Sequence, residues 1–304
     1  MKLGLGTAQF GMPYGVTNAA GRVAPEQAAA ILRNAADGGV DLVDTAAAYG
    51  ESEAVLGAIL WPRHPFRIVS KLPPLALLPP HGTPAERMEG AVEGSLRRLR
   101  QDTLYGLLLH RAADLCEASG PAVLATLNAL KRTGRVAKIG VSVYGAAEID
   151  AVLERCTPDI VQLPLNALDQ RLLRSGHVAR LAAAGVEIHA RSVFLQGVLL
   201  ADPAGLPDHF SPFLPVLQRF REKARASGTD PLRMALRFVS SLPVVHAAIV
   251  GVTTPAEFDD IQAAFRDCGQ DTADWSGYRC DDEKLVNPSL WPAREARREA
   301  RIPS

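Results

Sequence analysis

The chain has 304 residues, and its 33 Lys+Arg balance 33 Asp+Glu, so its charge gives no reason to expect nucleic acid or an anionic membrane as partner. A composition of 47% hydrophobic and 22% charged residues fits a chain that buries a large core, and the length is usual for one α/β barrel. The four cysteines (Cys116, Cys156, Cys268, Cys280) are widely spaced with no C-x-x-C pair, which argues against a zinc site or a disulfide framework and fits a reducing compartment.

Short β-rich apolar runs alternate with longer Ala/Leu/Arg segments of helical period. In chain order, strands are predicted at 3–7, 40–44, 67–71, 104–109, 137–142, 160–164, 186–190 and 246–250. Helices are predicted near 25–38, 51–60, 84–100, 121–133, 146–154, 171–184, 211–226, 230–241 and 255–265. Pro25 and Pro255 suit first helical turns, where a missing N–H costs nothing, and Gly38-Gly39, Gly134 and Gly185 sit where helices should stop before strands. Eight strand–helix alternations point to a parallel sheet closed into a (β/α)8 TIM barrel reaching about residue 265, within a single domain spanning 1–304. Three stretches break the rhythm: a Gly-rich connection at 8–24, a Pro/Gly/Asp-rich loop at 194–212, and a tail at 266–304. The tail carries Trp275, Trp291 and a basic end with Arg294, Arg297 and Arg298, and is expected to be a packed extension with a solvated end. The amino terminus has no long apolar run and no segment is long enough to span a bilayer, so the expectation is a soluble, cytoplasmic chain without a signal peptide.

Four polar residues fall at the ends of successive predicted strands. Asp44 closes Val-Asp-Leu-Val-Asp and Tyr49 follows five residues later; Lys71 ends Arg-Ile-Val-Ser-Lys; His110 ends Leu-Leu-Leu-His. In a barrel the C-terminal strand ends converge on one face. Singly, each has an ordinary explanation: a turn cap for Asp44, a loop aromatic for Tyr49, a solvated amine for Lys71, a satisfied histidine for His110. Together they supply what carbonyl reduction needs, a proton donor and stabilisation of developing negative charge. On this reading Tyr49 is the general acid, Lys71 lowers its pKa, Asp44 holds the lysine, and His110 orients the carbonyl oxygen.

These residues carry a family likeness. With Leu3-Gly-Leu-Gly-Thr7, Asp44-Thr-Ala-Ala-Ala-Tyr-Gly-Glu-Ser-Glu53, Val69-Ser-Lys71, Leu107-Leu-Leu-His110, Gly134-Arg-Val-Ala-Lys-Ile-Gly-Val-Ser142, Val161-Gln162 and Ile249-Val-Gly251, the chain resembles the aldo-keto reductases over nearly its whole length. The resemblance implies a barrel without a Rossmann unit, NADPH or NADH across its mouth, and a catalytic tetrad of Asp44, Tyr49, Lys71 and His110. It implies cofactor contacts from Gly6 and Thr7, and from Ser142 and Gln162 to the nicotinamide amide, with Val143 replacing the usual asparagine. Where relatives stack an aromatic on the nicotinamide, this chain has Arg191, followed by Ser192; a guanidinium there favours the neutral reduced ring over the oxidised cation. Phe194, Leu195, Gln196 and Gly197 are expected along the pyrophosphate.

The last strand runs into Gly251, Val252 and Thr253, and then Glu257, where NADPH-preferring relatives grip the 2′-phosphate with Lys or Arg. A carboxylate repels that phosphate and suits a free ribose 2′-OH, so NADH is favoured with NADPH as the alternative; Glu257 also suits a helix amino terminus. The expected substrate is a small carbonyl or a sugar. The resemblance leaves a second role open: some aldo-keto reductase-like chains sense NADH and bind a regulatory protein partner, for example in bacterial cell-division control.

Overall fold

The computed structural model describes residues 1–268 and 273–292. Eight parallel strands, β1 (Lys2–Gly6), β2 (Leu42–Asp44), β3 (Arg67–Leu72), β4 (Leu104–Leu109), β5 (Val136–Ser142), β6 (Ile160–Pro164), β7 (Glu187–Arg191) and β8 (Ala247–Gly251), close in sequence order with β8 returning to β1. The expected TIM barrel is therefore present, and each expected strand lies within two residues of its observed bounds.

Around the barrel run α1 (Ala8–Gly11), α2 (Pro25–Asp37), α3 (Ser52–Ile59), α4 (Pro84–Leu99), α5 (Gly120–Arg132), α6 (Ala146–Leu153), α7 (Arg171–Arg174), α8 (His177–Ala183), α9 (Leu214–Ala226), α10 (Pro231–Ser240), α11 (Pro255–Arg266) and α12 (Glu283–Val286). Helix starts are written locally. The Thr83 side chain accepts from the Glu86 amide while Glu86 reaches back to the Thr83 amide, and Pro84 occupies the first turn of α4. Ala28, Ile31, Leu32 and Ala35 put a buried stripe on α2 at helical spacing.

Two expectations are corrected. The helix predicted over 171–184 is two, α7 and α8, because Gly176 takes a left-handed φ of +77° between them. The segment after β7 is more ordered than a long loop: 3₁₀ turns occupy Leu195–Gly197, Pro203–Gly205 and Asp208–Phe213, and α9 begins only at Leu214.

Inside the barrel a small apolar cluster (Leu42, Val69, Leu108, Ile160, Ala247, Ile249) fills the axis, and the main core lies between strands and helices. The barrel axis is thus plugged, which leaves its mouth as the place for chemistry. Beyond α11, Trp275 packs edge-on to Phe238 and Trp291 edge-on to Phe210, as expected for a packed extension. Arg294, Arg297 and Arg298 lie outside the described residues. Among the described residues no helix is long and apolar enough to cross a membrane, and no cluster of His, Cys, Asp or Glu could hold a metal.

Candidate active site

The site is built on an ion pair at the top of the strands. Asp44 ends β2 in register with Gly6 of β1 and Val69 of β3, two residues below Lys71. The Lys71 ammonium, only 1% exposed, donates to Asp44 Oδ1 at 2.7 Å, Asp44 Oδ2 at 2.6 Å and the Thr45 carbonyl at 3.0 Å. All three of its protons are occupied. Burial pushes the lysine pKa down, opposed by the Asp44 charge. Gln162 adds a third hydrogen bond to Asp44, from Nε2 to Oδ1 at 2.7 Å.

Tyr49 sits in the turn between β2 and α3. A knot of buried hydroxyls holds that turn: Ser52 Oγ donates to the Thr7 carbonyl at 2.8 Å and lies 3.0 Å from Thr45 Oγ1, while Thr7 Oγ1 donates to the Asp44 carbonyl at 3.0 Å. Glu53, which closes the motif, is a brace. It accepts from Ser70 Oγ and from Arg98, tying α3 to β3 and α4. His110 follows β4 and meets the Tyr49 ring edge to face, with centroids 5.8 Å apart. Lys71 Nζ lies 5.0 Å from the Tyr49 ring centroid. The four tetrad residues are therefore brought together.

Their ionisation differs from expectation at one point. Burial, then the Asp44 charge, pushes the Tyr49 phenol above its ordinary pKa, with Arg191 pulling the other way; the lysine's protons are aimed at Asp44 and Thr45. The expected lowering by Lys71 is thus outweighed. The imidazole of His110 is pushed down to about 4 by burial and by the Lys71 and Arg191 charges, so it is neutral at pH 7.

A cleft of about 720 Å³ runs from Asp44 and Tyr49 to α11. It is lined by the expected residues Gly6, Thr7, Gln162, Arg191, Ser192, Phe194, Gln196, Gly197, Gly251, Val252, Thr253 and Glu257. Of the tetrad only Asp44 and Tyr49 line it, and two expected cofactor residues are not on its wall. Leu195 is buried in the core, and Ser142, also buried, stands beside Gln162 in the β5–β6 register. The Arg191 guanidinium carbon lies over the Tyr144 ring, 4.1 Å from its centroid, and the side chain donates to the Val143 carbonyl at 2.9 Å. Glu257 accepts from the Thr253 amide and hydroxyl at 2.7 and 2.9 Å at the start of α11.

The cleft suits a nicotinamide dinucleotide. On the cleft wall Gln162 Oε1 has no hydrogen-bond partner among the described residues, which leaves an acceptor for a carboxamide beside the tetrad; the buried Ser142 hydroxyl next to it in register is likewise unpartnered among the described residues. Gly251 keeps its wall low, since a Cβ there would lie 2.5 Å from the Gln9 amide oxygen. The sequence reading missed Tyr14, whose hydroxyl accepts from Gln196 Nε2 at 3.2 Å, and Asp260, a second carboxylate near Glu257 on the cleft wall. Asp260 follows Glu257 by three residues on α11, a spacing that places both on one helix face. Tyr14 has no comparable local signal.

The model of the aldo/keto reductase family matches residues 2–275. Among solved structures, the chain is similar to the holo form of an aldo-keto reductase from Bacillus halodurans, at 18% identity and a TM-score of 0.75, covering 96% of this chain and 94% of that one. A protein described as an aldo-keto reductase of Pseudomonas aeruginosa is 28% identical over 86% of this chain and 88% of its own, with a TM-score of 0.63. An aldo-keto reductase of Klebsiella pneumoniae, solved in complex with NADPH, is 23% identical over 87% and 85% of the two chains, with a TM-score of 0.65. No curated protein matches the chain.

Proposed function

The chain belongs to the aldo/keto reductase family and is an NAD(P)H-dependent oxidoreductase, and from that premise we propose that it reduces a small aldehyde or ketone, with Tyr49 as proton donor and NADH as the favoured cofactor. The reverse oxidation of an alcohol or sugar would use the same atoms. The observation that carries this reading is the buried Asp44–Lys71 pair lying beneath Tyr49 and His110 at one end of the cleft.

The reduced nicotinamide, when bound, supplies the hydride that reduces the carbonyl carbon. Gln162 and Arg191 on the cleft wall, with Ser142 beside Gln162, would hold its ring, and Gln196 and Gly197 its phosphates. Neutral His110 orients the carbonyl oxygen by a hydrogen bond. Tyr49, kept protonated by its raised pKa, gives its proton to that oxygen as alkoxide character develops, since an alkoxide is a stronger base than a phenolate. The phenolate left behind faces the Lys71 and Arg191 charges and is reprotonated from solvent.

NADH is favoured because the far end of the cleft presents Glu257 and Asp260, and Arg191 at the other end is the one basic residue among the described residues of its lining. A 2′-phosphate would meet two carboxylates with no cation to offset them.

Titration with NADH and NADPH, followed by nicotinamide fluorescence, tests the preference: NADH is expected to bind at least about tenfold more tightly, an energy of about 1.4 kcal/mol. Equal or tighter NADPH binding would overturn it. Tyr49→Phe is expected to cut carbonyl turnover by about 10²–10⁴-fold while NADH still binds. Tight NADH binding by a wild-type protein that turns over no carbonyl would replace the enzyme reading with that of a redox sensor acting through a protein partner.

A further inference from the structure

Side chains two residues apart on a strand share a face. Leu42, Val69, Leu108 and Ile160 lie on the barrel axis, and two residues further along the same segments come Asp44, Lys71, His110 and Gln162. On β7, Ile188 and Ala190 belong to the core beneath the helices, so Arg191 turns to the axis side with those four. It lines the cleft together with Asp44, Tyr49 and Gln162. A cation therefore shares the barrel mouth with the tetrad. Its seat is defined: the guanidinium carbon stands over the Tyr144 ring at 4.1 Å, and the side chain donates to the Val143 carbonyl at 2.9 Å and the Ser192 hydroxyl at 3.4 Å.

The charges around Tyr49 are not equally free to act. Asp44 receives two hydrogen bonds from Lys71 and one from Gln162, so the ammonium and the carboxylate largely cancel at a distance. Asp169, another carboxylate in the Arg191 field, is held by Arg171 at 2.8 and 2.9 Å. Arg191 has no carboxylate within 4.0 Å among the described residues. Its charge reaches both ends of the Tyr49–His110 contact. Burial and then the Asp44 charge push the Tyr49 phenol up, Arg191 pulls it down, and Tyr144 pushes with the first two. Burial, then Lys71 and then Arg191 lower the His110 imidazole, with Asp44 opposing them.

We propose that Arg191 is the unpaired cation that stabilises the Tyr49 phenolate as the proton leaves, so that the acid strength of the site is set from β7. This rests on the carbonyl-reduction reading above. In that step the Tyr49 O–H bond breaks, an O–H bond forms on the substrate oxygen, and the alkoxide's negative charge moves onto the phenolate. A charge that appears in a site closed to bulk water is stabilised most by a fixed, uncompensated charge of opposite sign. Lys71 spends its three protons on Asp44 and the Thr45 carbonyl, and Arg191 carries its charge unpaired. Arg191 is a positioning residue in this role: it acts through the field at Tyr49 and transfers no proton.

The test uses Arg191→Met, which removes the charge at similar length, and Arg191→Lys, which keeps it. Two readouts are taken. The first is the His110 imidazole titration by NMR from pH 8 down to pH 5, its resonance identified by its loss in His110→Gln. Removing a like charge should raise the His110 midpoint by about one pH unit in Arg191→Met, and Arg191→Lys should reverse at least part of that rise. The second is kcat for benzaldehyde reduction at saturating NADH, with the NADH Kd measured beside it. Arg191→Met is expected to lose about tenfold in kcat, less than a contacting donor would cost, and Arg191→Lys to recover part of it. Equal loss of kcat in both variants with the His110 midpoint unmoved would make Arg191 a brace for Tyr144 and overturn the proposal. A change confined to the NADH Kd would overturn it too, leaving a cofactor contact. A wild type that reduces no carbonyl would remove the carbonyl-reduction reading and this proposal with it. The imidazole titration, which needs no turnover, separates that failure from a cation whose field does not reach the site.

Discussion

His110 is the tetrad member whose behaviour gives the most direct measurement. Its imidazole is edge-on to Tyr49, and it faces the Lys71 and Arg191 cations and the Asp44 anion. Burial and the two cations depress its pKa from 6.5 to about 4. Between those two values the unfolded chain binds a proton that the folded chain refuses, so stability falls as pH drops from about 6.5 and the loss levels off below about 4. The gap corresponds to about 3 kcal/mol. Urea midpoints taken from pH 7 down to pH 4 should therefore fall more steeply for the wild type than for His110→Gln, whose side chain does not titrate. Parallel curves would mean that the imidazole is not held neutral, and a charged histidine would have to be written into the site. The same neutrality supports the proposed roles: with Lys71 fully occupied by Asp44 and Thr45 and His110 uncharged, Tyr49 is the proton donor the proposal needs.

Among the elements, the short helix α1 does more for Tyr49 than its length suggests. Gly11 ends it against the tyrosine's own backbone: a Cβ there would lie 1.8 Å from the Tyr49 carbonyl and 2.3 Å from the Ser52 amide. Gly50 faces it at φ +56°, with its own Cβ position 2.5 Å from the Gly11 carbonyl. Gly11→Ala must push the β2–α3 turn away, so it should cost about 1–3 kcal/mol in stability through overpacking and cut turnover by moving the Tyr49 hydroxyl. Thermal melting and kcat measured together check this; an alanine variant with unchanged kcat would mean that the turn relaxes without moving the phenol. Gly50 lies in the Asp44–Glu53 motif and Gly11 in the Gly-rich connection at 8–24, but their contact is tertiary and left no local trace. What was legible follows from periodicity and strand ends. Asp44, Lys71 and His110 each terminate an apolar run, and barrel geometry then makes them neighbours. The Gly176 break between α7 and α8 was missed although Ser175-Gly176 is a turn signal, because the Leu and Ala residues on either side of it read as one helical run. Tyr14 was missed because Met-Pro-Tyr-Gly has no period to place it; its partner Gln196 is 182 residues away.

At the scale of the whole molecule, the two ends of the barrel divide the work. The C-terminal ends of the strands carry the tetrad and the cleft, and the N-terminal ends are closed by a polar floor. There Glu187, opening β7, accepts from Tyr105 of β4 at 2.8 Å, from Lys138 of β5, and interacts with His189 of its own strand at 2.7 Å. Arg67 of β3 and Lys138 flank the Tyr105 ring at 4.4 and 5.1 Å from its centroid. Burial alone would raise the Glu187 carboxyl, but hydrogen bonds from His189, Lys138 and Tyr105 hold it well below the usual carboxylate range. A depressed carboxylate contributes stability that is fully present above its unfolded pKa of 4.5 and is lost as pH falls below that value. Because Glu187 is partly open to solvent, its contribution is discounted to about 1–2 kcal/mol. Glu187→Gln should lower the urea midpoint at pH 7 and flatten the acid limb below pH 4.5, while NADH affinity, set at the opposite end, stays as in the wild type. If instead NADH affinity drops in step with stability, the floor and the mouth are one cooperative unit, and the separation of function from stability along the barrel axis does not hold for this chain.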